Sequence, residues 1–488
     1  MRAGNLISQA AIAIWLLACI GVAGSFATIR RRRLASPTSI LEIEATHPLV
    51  NPRRPVRVVG RKRSTSVQAA GGDYVRLVRP YPRVVIVGGG FGGLQCAKAL
   101  RGKPVDVVLV DRRNYHLFTP LLYQVASCLL NPSQITAPLR KVLRGAGNVR
   151  YRAGDVTGVD FDRQLVRLAD HAELPYDYLV LATGSTTNYY GNESVRAHAL
   201  GLKDLGEALQ LRNHVLECLE RATSSDDDER ARLLNFCIVG GGPTGVEYAG
   251  ALAELARLII PVEYPELPPS ALRILLLEGG ERLLPMFVPR LSEYARRELD
   301  RRGVEVRTNT LVTSADERGV VLNDGSVVET ATMVWTAGVR PNDLLHDKPE
   351  RLPVDDHLRL VGAQHVFAIG DVAAARDKHG NVLAMVSPPA MQAGRYVARH
   401  IVDGDARRGF RYHDKGTLAT IGRRAAVGQI GRFRFRGFLG WVVWLVVHLY
   451  YLIGFENRLK VMLRWAWYYF RLDRPVRVVV RADPPPEE

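Results

Sequence analysis

The sequence predicts an α/β protein carrying two Rossmann-like dinucleotide-binding domains. A glycine-rich GxGxxG turn occurs twice, each copy joins an apolar strand to a helix, and each is followed by a second strand ending in an acid. The first copy reads Val84-Val85-Ile86-Val87-Gly88-Gly89-Gly90-Phe91-Gly92-Gly93, and the second Phe236-Cys237-Ile238-Val239-Gly240-Gly241-Gly242-Pro243-Thr244-Gly245. In this pattern Gly88 and Gly240 make the tight turn, and Gly90 and Gly242 admit a pyrophosphate. Gly93 and Gly245 let helix and strand pack closely. A lone GxGxxG is weak evidence, but two copies that both pass the acid test point to two nucleotides held face to face.

From the amino end, Leu6 to Ile29 is uncharged, mainly apolar and long enough to span a bilayer, and Arg30 to Arg33 follow at once. The arginine block resists translocation, which favours a membrane anchor over a cleaved secretory signal; a mitochondrial presequence is the other reading. Residues from about 34 to 80, rich in Pro, Arg, Ser and Thr, read as a flexible linker. From Arg83 onward strand and helix alternate, as a parallel sheet requires. The strand Val107–Val110 ends at Asp111, placed to hydrogen-bond a ribose. Tyr176–Ser185 is a strand ending in small residues, and Ala182 and Gly184 let the backbone pass close to a bound ring. After the second glycine turn, the strand Leu272–Leu277 ends at Glu278, which accepts from a ribose 2′-OH, repels a 2′-phosphate and so favours NADH over NADPH. Val334–Pro341 repeats the small-residue device, and Asp371 stands at a strand-to-helix junction where it accepts from ribityl hydroxyls or simply caps a helix.

The stretches Gly88–Asp111, Tyr115–Ala126, Tyr176–Gly184, Gly240–Glu247, Val334–Pro341, Val366–Asp371 and Lys415–Arg423 together resemble the type II NADH:quinone dehydrogenases, over residues 81 to 475. The resemblance implies FAD in the first domain, NADH in the second, insertion of the NADH domain into the FAD domain, and a C-terminal membrane-binding helical region. Carried over by motif, Gly88, Gly90, Gly93, Asp111, Ala182, Gly184 and Asp371 hold FAD, while Gly240, Gly242, Gly245 and Glu278 hold NADH. Glu247 is similar to the glutamate that family members place between nicotinamide and flavin; as a bare first-turn acid it would only favour the helix dipole. The implied reaction passes a hydride from NADH to FAD and two electrons on to a quinone. Near the flavin ring the segment reads Ser387-Pro388-Pro389-Ala390-Met391-Gln392, with Pro388 where many members have a glutamine. Gln392 is therefore the candidate for the quinone contact.

The domains expected are a transmembrane or targeting segment at 1–33, a linker at 34–80, the FAD-binding domain at 81–200 and 346–405, the NADH-binding domain at 201–345, and a membrane-binding region at 406–480. In that last region, aromatic residues crowd beside arginines from Arg432 to Arg471, as at a membrane interface. A spanning helix is conceivable for Gly437–Phe455, but His448, Glu456, Arg458 and Lys460 suit a helix lying in the head-group plane.

At 488 residues the chain can bury sizeable cores, and its net charge of +17 points to an anionic partner. Two of three basic clusters adjoin apolar segments, which favours a membrane surface over nucleic acid, for which no groove-reading motif is present. The five cysteines form no CxxC pair, which disfavours sulfide:quinone reductase chemistry. The twelve histidines form no metal-ligand constellation, and His116 and His448 read as packing or surface residues. A flavoprotein that only senses redox state is the alternative from another class. The partners expected are quinone, membrane lipid and a second copy of the chain, at the cytoplasmic face of a bacterial inner membrane or at the mitochondrial inner membrane, without ion pumping.

Overall fold

The computed structural model describes residues 80–479 apart from 269–270, 343, 345–349, 405–407, 472–473 and 475. The apolar segment at 1–33 and nearly all of the linker at 34–80 lie outside the described residues.

The chain builds one unit twice. In the first, β1 (Arg83–Val87) leads into α1 (Phe91–Ala99) and β2 (Asp106–Asp111), followed by β3 (Val149–Ala153) and β4 (Tyr178–Leu181). A second sheet then begins with β5 (Ala199–Gly201), and after α2 (Leu205–Ala222) come β6 (Asn235–Val239), α3 (Pro243–Leu258), β7 (Arg273–Leu277), β8 (Val304–Arg307) and β9 (Thr332–Trp335). The strand β10 (Val366–Ala368) returns to the first sheet. The orders are β10-β4-β1-β2-β3 and β5-β9-β6-β7-β8, parallel throughout, with the glycine-turn strand central in each. The second sheet is thus made entirely between β4 and β10.

Central strands of a parallel sheet are covered on both faces, which is why they read as unbroken apolar runs. Val84, Val85 and Ile86 in β1 and Phe236, Cys237 and Ile238 in β6 have no exposed surface. A two-stranded antiparallel ribbon, Ser185–Thr187 with Val339–Pro341, joins the units where the chain passes between them.

The C-terminal part closes over both. Helix α4 (Ser387–Asp403) packs on α1 so closely that a Cβ at Gly394 would lie 2.2 Å from the Gly92 carbonyl oxygen. An antiparallel sheet, β11 (Thr417–Gly422), β12 (Ala425–Ile430) and β13 (Phe433–Arg436), precedes α5 (Gly437–Tyr451) and α6 (Phe455–Arg471). The spanning helix conceivable for this region is not present: no described helix is long and apolar enough to cross a membrane, since α5 has 15 residues and α6, with 17, carries charges along its length.

Candidate functional site

The two glycine turns are built alike. Gly88 N–H donates to the Val110 carbonyl and Gly240 N–H to the Leu277 carbonyl, each at 2.8 Å. Both glycines sit at positive φ, +107° and +112°, where a side chain is strained. A Cβ on Gly93 or Gly245 would lie 1.9 Å from the carbonyl oxygen of Gly88 or Gly240, so helix and turn meet only through glycine. At Gly90 and Gly242, by contrast, a Cβ would meet nothing within 4 Å. Each of these two glycines thus leaves an open cradle at the N-terminus of a helix, where backbone N–H groups and the helix dipole suit a pyrophosphate.

The two acids also act in parallel. Asp111 Oδ2 accepts from Gly89 N–H at 2.5 Å and Oδ1 from Arg113 N–H at 2.7 Å. Glu278 Oε2 accepts from Gly241 N–H at 2.6 Å and Oε1 from Gly280 N–H at 2.7 Å. Each carboxylate is pinned to its own glycine turn, and Asp111 also lines the cavity described next. Asp371, at the turn after β10, accepts from the Ser185 hydroxyl at 2.5 Å and lies 3.7 Å from Lys203 Nζ. A cavity of about 1070 Å³ is lined by the first glycine turn, Asp111, Ala182, Gly184, Asp371, Glu247, Gln392 and His448. These residues fit FAD: an open cradle for its pyrophosphate, an acid for its ribose, and small residues where its ring would pass.

Glu247, in α3, looks into this cavity from the second unit. Its Oε1 accepts from Thr420 N–H and from Trp444 Nε1–H, both at 3.2 Å. Burial is the larger influence and pushes the carboxyl up to about 8. At neutral pH it is therefore mostly protonated, a group that both donates and accepts hydrogen bonds. Trp444 is held in turn by Tyr123 and Trp465, with ring centroids 6.4 and 5.7 Å away, while Trp465 Nε1–H donates to Gln124 Oε1 at 2.8 Å.

Gln392 also lines the cavity, but both ends of its amide close on the backbone of one residue: Nε2–H donates to the His413 carbonyl at 2.9 Å, and Oε1 accepts from His413 N–H at 3.0 Å. In this state it braces the loop before β11. Pro388 lies in the first turn of α4 and also lines the cavity. His116 is buried under the first turn, its Nδ1–H donating to the Gly89 carbonyl at 3.1 Å. The described cysteines, Cys96, Cys128, Cys218 and Cys237, are all buried and unpaired, and burial raises their thiols, Cys128 to about 11.

Sequence reasoning missed the C-terminal contribution. Trp444 and Trp465 read as interfacial aromatics, yet both are buried against the site. Arg474, also buried, donates to the Ser127 carbonyl at 2.6 Å and pairs at 3.3 Å with Glu254, which also accepts from the Tyr468 hydroxyl at 2.6 Å. Arg474 and Tyr468 are thereby tied to α3 at Glu254, two turns beyond Glu247.

Comparison with known proteins matches residues 82–394 to the family described as pyridine nucleotide-disulphide oxidoreductase. The chain is 39% identical over 408 residues to the type II NADH:quinone oxidoreductase Ndh of Mycobacterium tuberculosis, covering 79% of this chain and 87% of that protein. It is 38% identical to NdhA of the same organism, covering 79% and 86%. Among solved structures, NDH2 of Plasmodium falciparum in complex with NADH superposes with a TM-score of 0.76 at 21% identity, covering 83% of this chain and all of that one.

Proposed function

The chain belongs to the pyridine nucleotide-disulphide oxidoreductase family and, within it, to the type II NADH:quinone oxidoreductases, and from that premise we propose how its residues divide the reaction. The activity is oxidation of NADH by a quinone, with FAD and NADH as the nucleotides bound. Bound FAD supplies a two-electron acceptor that takes a hydride from NADH and delivers both electrons to the quinone.

In our reading Gly88, Gly90, Gly93, Asp111, Ala182, Gly184 and Asp371 hold FAD, and Gly240, Gly242, Gly245 and Glu278 hold NADH. Residues 81–200 and 346–405 form the FAD-binding domain, 201–345 the NADH-binding domain and 406–480 the membrane-binding region. Two cradles built on hydrogen-bonded glycine turns would hold donor and acceptor in a set orientation, which lowers the orientational cost of bringing them together. Glu247, protonated at neutral pH, offers a hydrogen bond inside the crevice between them without placing a negative charge beside a ring that gains electron density. Gln392 keeps the loop before β11 against the cavity.

Lipid is the second partner we propose. Leu459, Leu463, Trp467 and Phe470 on α6 recur at helical spacing and are 40–60% exposed, with Lys460, Arg464 and Arg471 interleaved. Such a face suits a helix lying in the head-group plane of an anionic bilayer. The arginines at 30–33 favour the cytoplasmic face of a bacterial inner membrane.

The observation that carries the reading is that the first glycine cradle and the start of the helix behind the second, Pro243, Thr244 and Glu247, line one cavity. It is tested by anaerobic absorbance of the FAD-loaded protein. NADH is expected to bleach the flavin faster than NADPH does, and a short-chain quinone to restore its colour; a bleached flavin left unchanged by quinone would remove the respiratory assignment.

A further inference from the structure

We propose that His448 is a further substrate-positioning residue, whose Nε2 accepts a hydrogen bond from a hydroxyl of the reduced quinone in the cavity. The proposal deepens the NADH:quinone reading of this site and rests on it.

His448 lies on α5 and lines the cavity. Its Nδ1 is 2.7 Å from the Trp444 carbonyl oxygen, which can only accept, so Nδ1 carries the hydrogen. The ring is stacked on Trp444 with centroids 4.0 Å apart and planes at 25°, and stands edge-on to Phe118 at 6.4 Å. These three contacts set the ring's orientation and tautomer. Burial lowers the imidazole to about 4, so at neutral pH the ring is uncharged and Nε2 is a lone-pair acceptor.

Among the described residues Nε2 has no hydrogen-bond partner, and the half-buried residue lines the cavity. His116 makes the contrast: its Nε2 is equally without a partner but fully enclosed. Several neighbouring polar atoms are already engaged. The Gln392 amide is closed on His413, Lys415 Nζ donates to the Tyr451 hydroxyl at 3.1 Å, and Glu247 Oε1 already takes two donors. Besides Phe118, which touches the His448 ring, the cavity is lined by Leu122, Ile430, Val447 and Tyr451, side chains suited to a flat, largely apolar ring with one polar edge.

An acceptor that cannot donate discriminates between the redox forms of such a ligand. A quinone carbonyl offers no hydrogen to Nε2, whereas the hydroxyl of the hydroquinone does. His448 therefore favours the product over the substrate, and its effect on turnover is to hold hydroquinone and slow its release.

The test uses the FAD-loaded full chain and a short-chain benzoquinone with its hydroquinone, each titrated anaerobically by calorimetry. His448→Phe keeps a ring to stack on Trp444 but removes the acceptor. It is expected to weaken hydroquinone binding about tenfold, as for loss of one hydrogen bond, while quinone affinity changes less than twofold. His448→Gln, which restores an acceptor, is expected to recover most of the loss, and the inhibition constant for added hydroquinone in steady-state turnover should follow the same order. If His448→Phe fails to retain FAD, the hydroquinone-to-quinone affinity ratio is judged in His448→Leu. Equal weakening of both ligands, or of neither, would overturn the proposal and leave His448 a packing residue. A wild-type protein that binds neither form and is not reoxidised by quinone would instead overturn the underlying assignment.

Discussion

Two donors, the Thr420 N–H and the Trp444 indole, reach Glu247 Oε1, yet burial outweighs both and holds the carboxyl at about 8 against its ordinary 4.5. The sign of the linkage follows. An acid whose folded value is raised binds more protons in the folded than in the unfolded chain, so its contribution to stability is complete below about 4.5 and is lost as pH rises through about 8. Glu247→Gln, which is neutral at every pH, removes that dependence. The melting temperature of the variant relative to wild type, both saturated with FAD, should therefore climb between about pH 5 and pH 9, read by scanning calorimetry. A difference that stays flat over that range would mean the carboxyl ionises freely in the fold. Glu247 itself was legible, because it stands two residues beyond Gly245 and the motif carries it. Its donors were not, since Thr420 lies 173 residues away and Trp444 197, and local sequence carries no trace of such contacts.

Among the elements, α1 matters most, because its N-terminus forms the first cradle and its flank is fixed by α4. The contact between them runs through Gly92 and Gly394, with no room for a side chain at the second. Gly394→Val is expected to push α4 off α1 at a cost of about 1–3 kcal/mol or more, the range for overpacking, and to weaken FAD retention because the cradle moves with α1. Thermal melting together with flavin content after gel filtration checks this; a variant that keeps both at wild-type levels would show that the helices separate without disturbing the cradle. Legibility at this scale divides along physical lines. β1, α1, β2 and their counterparts β6, α3 and β7 were readable because their residues are constrained locally, glycine by φ and buried strands by continuous apolar runs. Helix α5 was misread in part, since Gly437–Tyr451 is apolar or aromatic nearly all round and offers no periodicity to separate the face that packs on Glu247 from the face that does not. Trp444 is almost wholly buried while Tyr450, six residues on, is 59% exposed.

At the scale of the whole molecule, the C-terminal region packs against the nucleotide-binding units, and this changes how its proposed attachment to lipid must be tested. Deleting the residues after Gly431 would remove Trp444, Trp465 and Arg474, all buried in contacts with the nucleotide-binding units, so loss of membrane binding could not be told from loss of fold. Point changes on the outer face of α6 avoid this. Leu463 and Trp467 are 57% and 52% exposed, and one turn of helix separates them. Replacing both with glutamate puts two negative charges on the face that would meet anionic head groups and removes two apolar anchors, while Val461 and Trp465 on the opposite side stay packed. The double variant is expected to retain FAD and its bleaching by NADH but to lose most co-sedimentation with vesicles containing phosphatidylglycerol. Raising salt from about 0.05 to 0.5 M should weaken the wild type in the same assay, because the Debye length shrinks from over 10 Å to under 5 Å and the basic residues no longer feel the surface. Full sedimentation of the double variant, in a chain lacking the first thirty-three residues so that no other anchor contributes, would show that α6 is not the surface that meets the bilayer.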